Sequence, residues 1–287
     1  MGLLIDGKWS NAWYETEAHG GRFVRPDTQF RGQLGSAEHP AEAGRYHLYV
    51  SYACPWAHRT LIVRVLKRLQ GAIDVSVVHP LMLDQGWKFE ASFPGATEDH
   101  ALGKRFLHQV YTHHDAKYSG RVTVPVLLDK VKSSIVSNES ADILRALGRA
   151  FDGTGVGDAE LDLYPEALRG EIDSLNERIY PAVNNGVYRA GFATSQEAYE
   201  EAFDELFATL DFLDERLASR RYLVGGRLTE ADIRLFTTLV RFDAVYFGHF
   251  KCNLRRIADY PALSAHVRDI HQLPGVGETV RLDHIKE

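Results

Sequence analysis

The stretch Tyr46-His47-Leu48-Tyr49-Val50-Ser51-Tyr52-Ala53-Cys54-Pro55-Trp56-Ala57-His58-Arg59 decides how this chain folds. Its first seven residues are aromatic and β-branched, the composition of a strand. Pro55 stands where a first helical residue falls, a position at which its missing N–H is not needed. Leu61, Ile62, Val65, Leu66 and Leu69 then recur at helical spacing. Val75-Ser76-Val77-Val78 reads as a second strand. Strand, helix, strand in that order implies a parallel pair with the helix packed across it. Cys54 falls at the strand–helix junction. Unpaired N–H groups and partial positive charge at a helix N-terminus favour thiolate over thiol. The expectation is a nucleophilic cysteine of lowered pKa, with His58 and Arg59 adding positive potential one turn on. The alternative is a buried structural cysteine.

On the N-terminal side, residues 1–40 read as an irregular arm lying over the rest, with a short hairpin at Leu4-Ile5-Asp6-Gly7-Lys8-Trp9. On the C-terminal side, Val122-Thr123-Val124-Pro125-Val126-Leu127-Leu128 reads as a third strand broken by Pro125. Lys132-Ser133-Ser134-Ile135-Val136 reads as a fourth, after a turn near Asp129-Lys130. Ser137 or Asn138 then caps a helix through Ile143, Leu144 and Leu147. The order is β-α-β, a long connection, then β-β-α, with the last two strands a hairpin. A Gly/Asp run, Phe151-Asp152-Gly153-Thr154-Gly155-Val156-Gly157-Asp158, marks the boundary. Beyond it nearly everything reads as helix. Leu206, Leu210, Leu213 and Leu217 form one apolar stripe. Thr229 as N-cap and Asp232 as its partner open another helix, whose stripe is Ile233, Phe236, Val240 and Ala244. The division is therefore an arm over 1–40, an α/β domain over 41–150, a linker over 151–160 and an all-α domain over 161–287.

The chain has 287 residues, 45% apolar and 25% charged, with Lys+Arg 33 against Asp+Glu 39 for a net charge of −6. That excludes wholesale disorder and a disulfide-dense mini-fold, and it gives no sign of nucleic-acid binding. No run of apolar residues is long enough for a membrane span, and the first residues lack a secretory pattern. Two cysteines, Cys54 and Cys252, suit a reducing compartment, most simply the cytoplasm.

The chemistry gathers around Cys54-Pro55-Trp56-Ala57. A dithiol redox site has its second cysteine where Ala57 stands, and that cysteine resolves the mixed disulfide. Without it an outside thiol must do so, which points to a monothiol cycle with a soluble thiol as second reactant. Cys252 reads as structural. Val124-Pro125 enters a strand that otherwise looks internal, where a proline has no N–H for the ladder. A cis bond would leave the Val124 N–H and C=O free to pair with a peptide-like ligand; a trans proline at a sheet edge is the other reading. Ser137-Asn138-Glu139-Ser140 precedes a helix. It is either a plain cap or a seat for a zwitterion, with amides and the Ser140 hydroxyl for a carboxylate and Glu139 for an ammonium. Tyr188 and Tyr246 are phenols able to donate to a thiolate or pass a proton, or else aromatic packing residues. No metal-ligand spacing appears, and the Gly153–Gly157 run lacks the strand a nucleotide loop needs.

Cys54-Pro55-Trp56-Ala57-His58-Arg59, Val122-Thr123-Val124-Pro125-Val126-Leu127, Asn138-Glu139-Ser140, Tyr180-Pro181 and Asn184-Asn185-Gly186-Val187-Tyr188 together resemble the glutathionyl-hydroquinone reductases, the Xi class of glutathione transferases. Gly86-Trp87-Lys88-Phe89 and Phe242-Asp243-Ala244-Val245-Tyr246-Phe247 extend the likeness over nearly the whole chain. The Omega-type transferases share the Cys-Pro start but not the Gly-Trp-x-Phe and Asn-Asn-Gly-Val-Tyr stretches. The resemblance implies a thioredoxin-like N-terminal domain, a helical C-terminal domain and a homodimer. It implies glutathione, as co-substrate, held by Trp87, by the backbone of Arg121, Val122, Thr123 and Val124 with cis-Pro125, and by Glu139 and Ser140. It implies a Cys54–glutathione mixed disulfide, proton donation from Tyr188 and a thiolate held by Tyr246, in a pocket between the domains. No metal, nucleotide, nucleic acid or membrane partner is expected. The family usually continues past Lys286 with a His-Tyr-Tyr stretch whose tyrosine joins the thiolate pocket, and without it a less stabilised thiolate is expected. The rival readings are a general monothiol thioltransferase or dehydroascorbate reductase, and a glutathione-binding protein without turnover.

Overall fold

In the computed structural model, which describes residues 2–287, the N-terminal hairpin consists of β1 (Leu3–Ile5) and β2 (Lys8–Ser10). It turns through Asp6 and Gly7 at φ 47° and 74°. Asp-Gly is a pair that accepts two successive left-handed residues, so the turn matches the strand twist. The α/β layer follows, with β3 (Tyr46–Val50), α1 (Pro55–Leu66), β4 (Ile73–Val77), α2 (Leu107–His114), β5 (Gly120–Arg121), β6 (Val126–Asp129), β7 (Ser134–Ser137) and α3 (Ser140–Leu147). The main sheet runs β4-β3-β6-β7; β3 and β4 are parallel and the remaining pairs antiparallel. All five residues of β3 are buried, because helices or neighbouring chain cover both faces of this central strand. A second small sheet, β2-β1-β5, pairs Leu3 with Arg121 and Leu4 with Gly120.

The expected topology therefore forms, with three local differences. The third strand begins at Val126 rather than Val122, because Pro125 supplies no N–H to a ladder. The fourth spans Ser134–Ser137 in place of Lys132–Val136, since Ser133 sits in the turn at φ 51°. The cap of α3 is Glu139, not Ser137 or Asn138: its Oε1 accepts the Ala141 N–H at 3.0 Å. Ser137 Oγ instead accepts from Glu139 N and Asn138 Oδ1 from Phe30 N. The long connection also holds α2, whose last turn carries His113 and His114.

The Gly/Asp run turns through Gly153, Gly155 and Gly157, all with positive φ. It is tied to the end of α1, where Lys67, fully buried, pairs with Asp152 at 2.8 Å. The helices that follow are α4 (Arg169–Ile179), α5 (Gly186–Gly191), α6 (Gln196–Leu217), α7 (Glu230–Arg241), α8 (Pro261–His271) and α9 (Leu282–Lys286). Two wide π-turns interrupt them, Tyr180–Asn184 after α4 and Phe242–Tyr246 after α7. The α7 cap has the expected reciprocal form, with Asp232 Oδ2 accepting from Thr229 N at 2.9 Å. The α7 stripe ends at Val240; Ala244 falls in the π-turn and is exposed. No helix among the described residues is long and apolar enough to cross a membrane.

Apolar burial gathers in two cores. One joins the sheet to α1 and α3 and takes in Ile233 and Phe236 of α7, so the helical part is packed against the α/β layer. The other lies wholly among the later helices and includes Leu206, Leu210, Leu213 and Leu217 of α6. The cleft described next runs along the seam.

Candidate active site

Cys54 is the N-cap of α1, in extended backbone at φ −83° and ψ 120°, with Pro55 as first helical residue. This places its sulfur at the mouth of the helix axis, where its S–H donates to the Val124 carbonyl at 3.7 Å. The Val124–Pro125 peptide is cis. A cavity of about 260 Å³ opens at this point. Cys54, Trp87, Arg121, Val122, Thr123, Val124, Pro125, Glu139, Ser140 and Tyr188 all line it. Of the residues singled out from the sequence, only Tyr246 lies outside the lining. It is 2% exposed and stands one layer back, its hydroxyl 3.4 Å from that of Tyr188.

The walls are held by buried polar contacts. The Tyr111 hydroxyl of α2 donates to Thr123 O at 2.8 Å and accepts from Asn138 Nδ2 at 3.2 Å and from Thr123 N at 3.3 Å. One phenol thus ties the Thr123–Pro125 segment to the turn before α3. Glu139 uses one oxygen as helix cap and the other to accept from Thr28 Oγ1 at 2.9 Å. The Ser140 hydroxyl lies 3.5 Å from Nη1 of the buried Arg59. The Arg121 side chain donates to the Ala12 and Trp13 carbonyls and lies over the ring of Tyr14, another lining residue. Trp87 follows Gly86, which has φ +69° and sits against the Trp9 ring; a Cβ there would come within 2.7 Å of it. That close approach requires glycine.

The electrostatics differ from the expectation in two respects. Burial pushes the Cys54 thiol up, while the Ala57 and Trp56 N–H groups and the charges of Arg241 and Arg25 pull it down without overcoming that rise. The expected lowering is therefore offset by desolvation, a term the sequence cannot display. His58 is fully buried, and burial together with Arg241 holds it neutral, so it adds no positive potential. Arg59 is likewise desolvated, its pKa pushed down to about 9. Burial raises both Tyr188 and Tyr246, with the Cys54 charge adding to the rise. Both phenols thus stay protonated and are donors at neutral pH. Cys252, 0% exposed in the helical core, has a thiol pushed up to about 12 by burial. Among the described residues no group of three or more His, Cys, Asp or Glu is placed to hold a metal ion.

The arm contributes more than the sequence indicated. Tyr14, Arg25, Pro26 and Thr28 line the cavity. Arg25 Nε donates to Asn185 Oδ1 at 2.9 Å, and its guanidinium lies over the rings of Trp56 and Tyr188, 5.0 and 5.1 Å from their centroids. Met82, Trp56 and Tyr180 also line it without having been assigned a site role, and Asn138, part of the candidate seat before α3, lines it as well. The signal in the sequence was weak. A lone arginine in an aperiodic, aromatic-rich arm has no spacing that marks it.

Comparison with known proteins follows this geometry. Residues 53–150 match the family model for the glutathione S-transferase N-terminal domain and residues 196–269 that for the C-terminal domain. The glutathionyl-hydroquinone reductase YqjG of Escherichia coli is 56% identical over 100% of this chain and 89% of its own. The glutathionyl-hydroquinone reductase PcpF of Sphingobium chlorophenolicum is 57% identical over 100% of this chain and 90% of its own. The glutathione-bound structure of YqjG superposes with a TM-score of 0.89 at 54% identity, covering 98% of this chain and 88% of that one. The Xi glutathione transferase of Phanerochaete chrysosporium superposes with a TM-score of 0.90 at 48% identity, covering 92% and 91%. The fold, a thioredoxin-like layer followed by a helical domain, is that of the glutathione transferases, and the chain belongs to their Xi class, the glutathionyl-hydroquinone reductase family.

Proposed function

We propose that this chain reduces glutathionyl-hydroquinones through Cys54, with glutathione as co-substrate. The Cys54 thiolate attacks the glutathione sulfur of the conjugate. The carbon–sulfur bond breaks, its electron pair stays with the aromatic carbon, and Tyr188 delivers a proton there. Hydroquinone leaves and Cys54 is left in a disulfide with glutathione. A second glutathione thiolate then attacks the glutathione sulfur of that disulfide, releasing oxidised glutathione and the Cys54 thiolate. The two electrons that reduce the carbon–sulfur bond come from the pairing of two thiols. In this reading Trp87, the backbone of Arg121, Val122, Thr123 and Val124, and Pro125 hold the peptide; Glu139 meets the γ-glutamyl ammonium and Ser140 its carboxylate. Tyr246 acts through Tyr188 rather than on the sulfur.

The observation that carries the proposal is a single thiol at the cleft. Ala57 occupies the position of a resolving cysteine, and Cys252 is buried in the other core. The relatives YqjG and PcpF bear the name of the same reaction. The test is one turnover with a glutathionyl-hydroquinone in the absence of free glutathione, read by intact-protein mass. A glutathione-sized gain on Cys54 with one equivalent of hydroquinone is the expected result; an intact substrate and an unmodified thiol sink the proposal. Reaction with sulfur–sulfur substrates only would favour a general thioltransferase. Two further expectations belong here: a homodimer, checked by light scattering, and a reducing compartment, consistent with both cysteines being free thiols.

A further inference from the structure

Arg241, the last residue of α7, is 1% exposed. Four of its five donors are spent on neutral acceptors. Nε donates to Ala53 O at 3.0 Å, Nη2 to Tyr52 O at 2.8 Å and Nη1 to Thr237 O at 2.8 Å. Nη1 also donates to His58 Nδ1 at 2.9 Å. This fixes the imidazole tautomer: Nε2–H points to Thr279 Oγ1 at 2.8 Å, and that hydroxyl donates to Val276 O at 2.6 Å. Among the described residues Arg241 has no carboxylate partner. The anionic forms that favour its charge are those of Tyr246, Cys54 and Tyr188. The two phenols are protonated at neutral pH, and the thiol, raised by burial too, is protonated at rest; of the three, the sulfur is the one the reaction requires as an anion.

A buried guanidinium without a carboxylate is costly, and such charges are normally paired. The arrangement makes sense if the partner is an anion that exists only part of the time. We propose that Arg241 is the positioning residue for Cys54: anchored on the Tyr52 and Ala53 carbonyls, its buried charge holds the thiolate that precedes the first sulfur transfer and returns after the second. The contact crosses the seam, since α7 belongs to the helical part and Tyr52–Cys54 to the α/β layer. The guanidinium therefore aligns the cysteine backbone and sets the local potential together. His58 keeps the charge from being shared, because it accepts as a neutral ring.

The proposal rests on Cys54 being the reacting thiol, and its test needs no hydroquinone. The groups facing Cys54 are Arg25 from the arm, Arg59 from α1, Tyr188 from α5, Arg241 from α7 and Tyr246 from the π-turn; those facing Arg241 are His58, Tyr188, Tyr246 and Cys54. Iodoacetamide alkylation of Cys54 is followed against pH in the parent chain, R241Q, R241K and T279V, with thermal midpoints measured alongside. Losing one nearby charge in a buried site raises the alkylation midpoint of R241Q by about one pH unit, about tenfold less thiolate below it. R241K retains the charge, and T279V removes the hydroxyl behind His58 with its bonds to the ring and to Val276 O while leaving the guanidinium in place. Both keep their midpoints within about threefold in thiolate fraction, whatever they lose in thermal stability. An unmoved R241Q profile overturns the proposal, as does a shift in T279V equal to that of R241Q. Should R241Q fail to fold, a full-unit shift in R241K overturns it and an unshifted one supports it. Failure of the hydroquinone assay in the parent chain would bear on the reaction and leave this measurement standing.

Discussion

Replacing Tyr111 by Phe removes one oxygen and keeps the ring. The ring is fully buried against Phe30 and Tyr118, so packing is preserved. The lost hydroxyl serves Thr123 O, Thr123 N and Asn138 Nδ2 at 2.8, 3.3 and 3.2 Å. Asn138 is buried and Thr123 half-buried at the wall of the cleft. Net loss of a buried hydrogen bond costs about 1 kcal/mol and an orphaned buried group about 1–3 kcal/mol, so Y111F loses about 2–4 kcal/mol in all. At about 2 °C per kcal/mol for a chain of this size, its thermal midpoint falls by about 4–8 °C. The functional consequence is larger than the stability loss suggests, because the same oxygen sets the spacing between Thr123 and Asn138, two walls of the cleft. The KM for glutathione rises about tenfold, equivalent to about 1.4 kcal/mol of binding, while the rate of the Cys54 step changes much less. Differential scanning calorimetry and steady-state kinetics read the two halves. A lowered midpoint with an unchanged KM would refute the claim that Tyr111 organises the site; an unchanged midpoint would refute the hydrogen-bond assignment itself.

Tyr188→Phe is expected to slow hydroquinone release by about 100-fold, the low end for loss of a general acid, while leaving resolution of the mixed disulfide by glutathione nearly intact. Rapid mixing of each half-reaction separates the two, and equal slowing of both would exclude a proton-donor role. Acid stability depends on His47, 1% exposed in β3 with Nε2 2.8 Å from Ser76 Oγ. Burial lowers its pKa from the ordinary 6.5 to about 4. A depressed folded value means that the unfolded chain binds the extra proton, so stability present above pH 6.5 is lost as pH falls towards 4. The slope approaches 1.4 kcal/mol per unit, about 3 kcal/mol over the window. Urea midpoints measured across that window will show the decline in the parent chain and a flatter profile in His47→Gln; parallel profiles would remove His47 from the account.

The strand–Cys–Pro–helix junction, the order of the sheet and the reciprocal cap at Thr229 were legible because each rests on local chemistry: a missing N–H, a period, a cap at fixed spacing. Ten of the residues singled out for the site line one cleft, and all but Trp87, which lies in the long connection between β4 and α2, stand in or beside a regular element that fixes them. What was not legible depends on burial and on distant partners. His58 sits one turn from Cys54 and looks cationic on a helical wheel, yet the approach of α7 makes it a neutral acceptor. The contact of the Tyr246 hydroxyl with that of Tyr188 was not legible either, because it comes from the π-turn after Arg241. Arg25 and Thr28 have no periodic signal, because their positions come from long-range pairing of the arm and not from a local preference.

That pairing also governs when the site comes into being. Leu3 and Leu4 have as partners Arg121 and Gly120, far along the chain. The carbonyls of Tyr52 and Ala53 meet their guanidinium only when residue 241 has emerged, 188 positions after Ala53. A growing chain therefore displays Cys54, with Arg25 and the first N–H groups of α1 already made, before Arg241 exists. Until the helical half closes over the seam, the thiol lacks both the burial that raises its pKa and the guanidinium that opposes that rise.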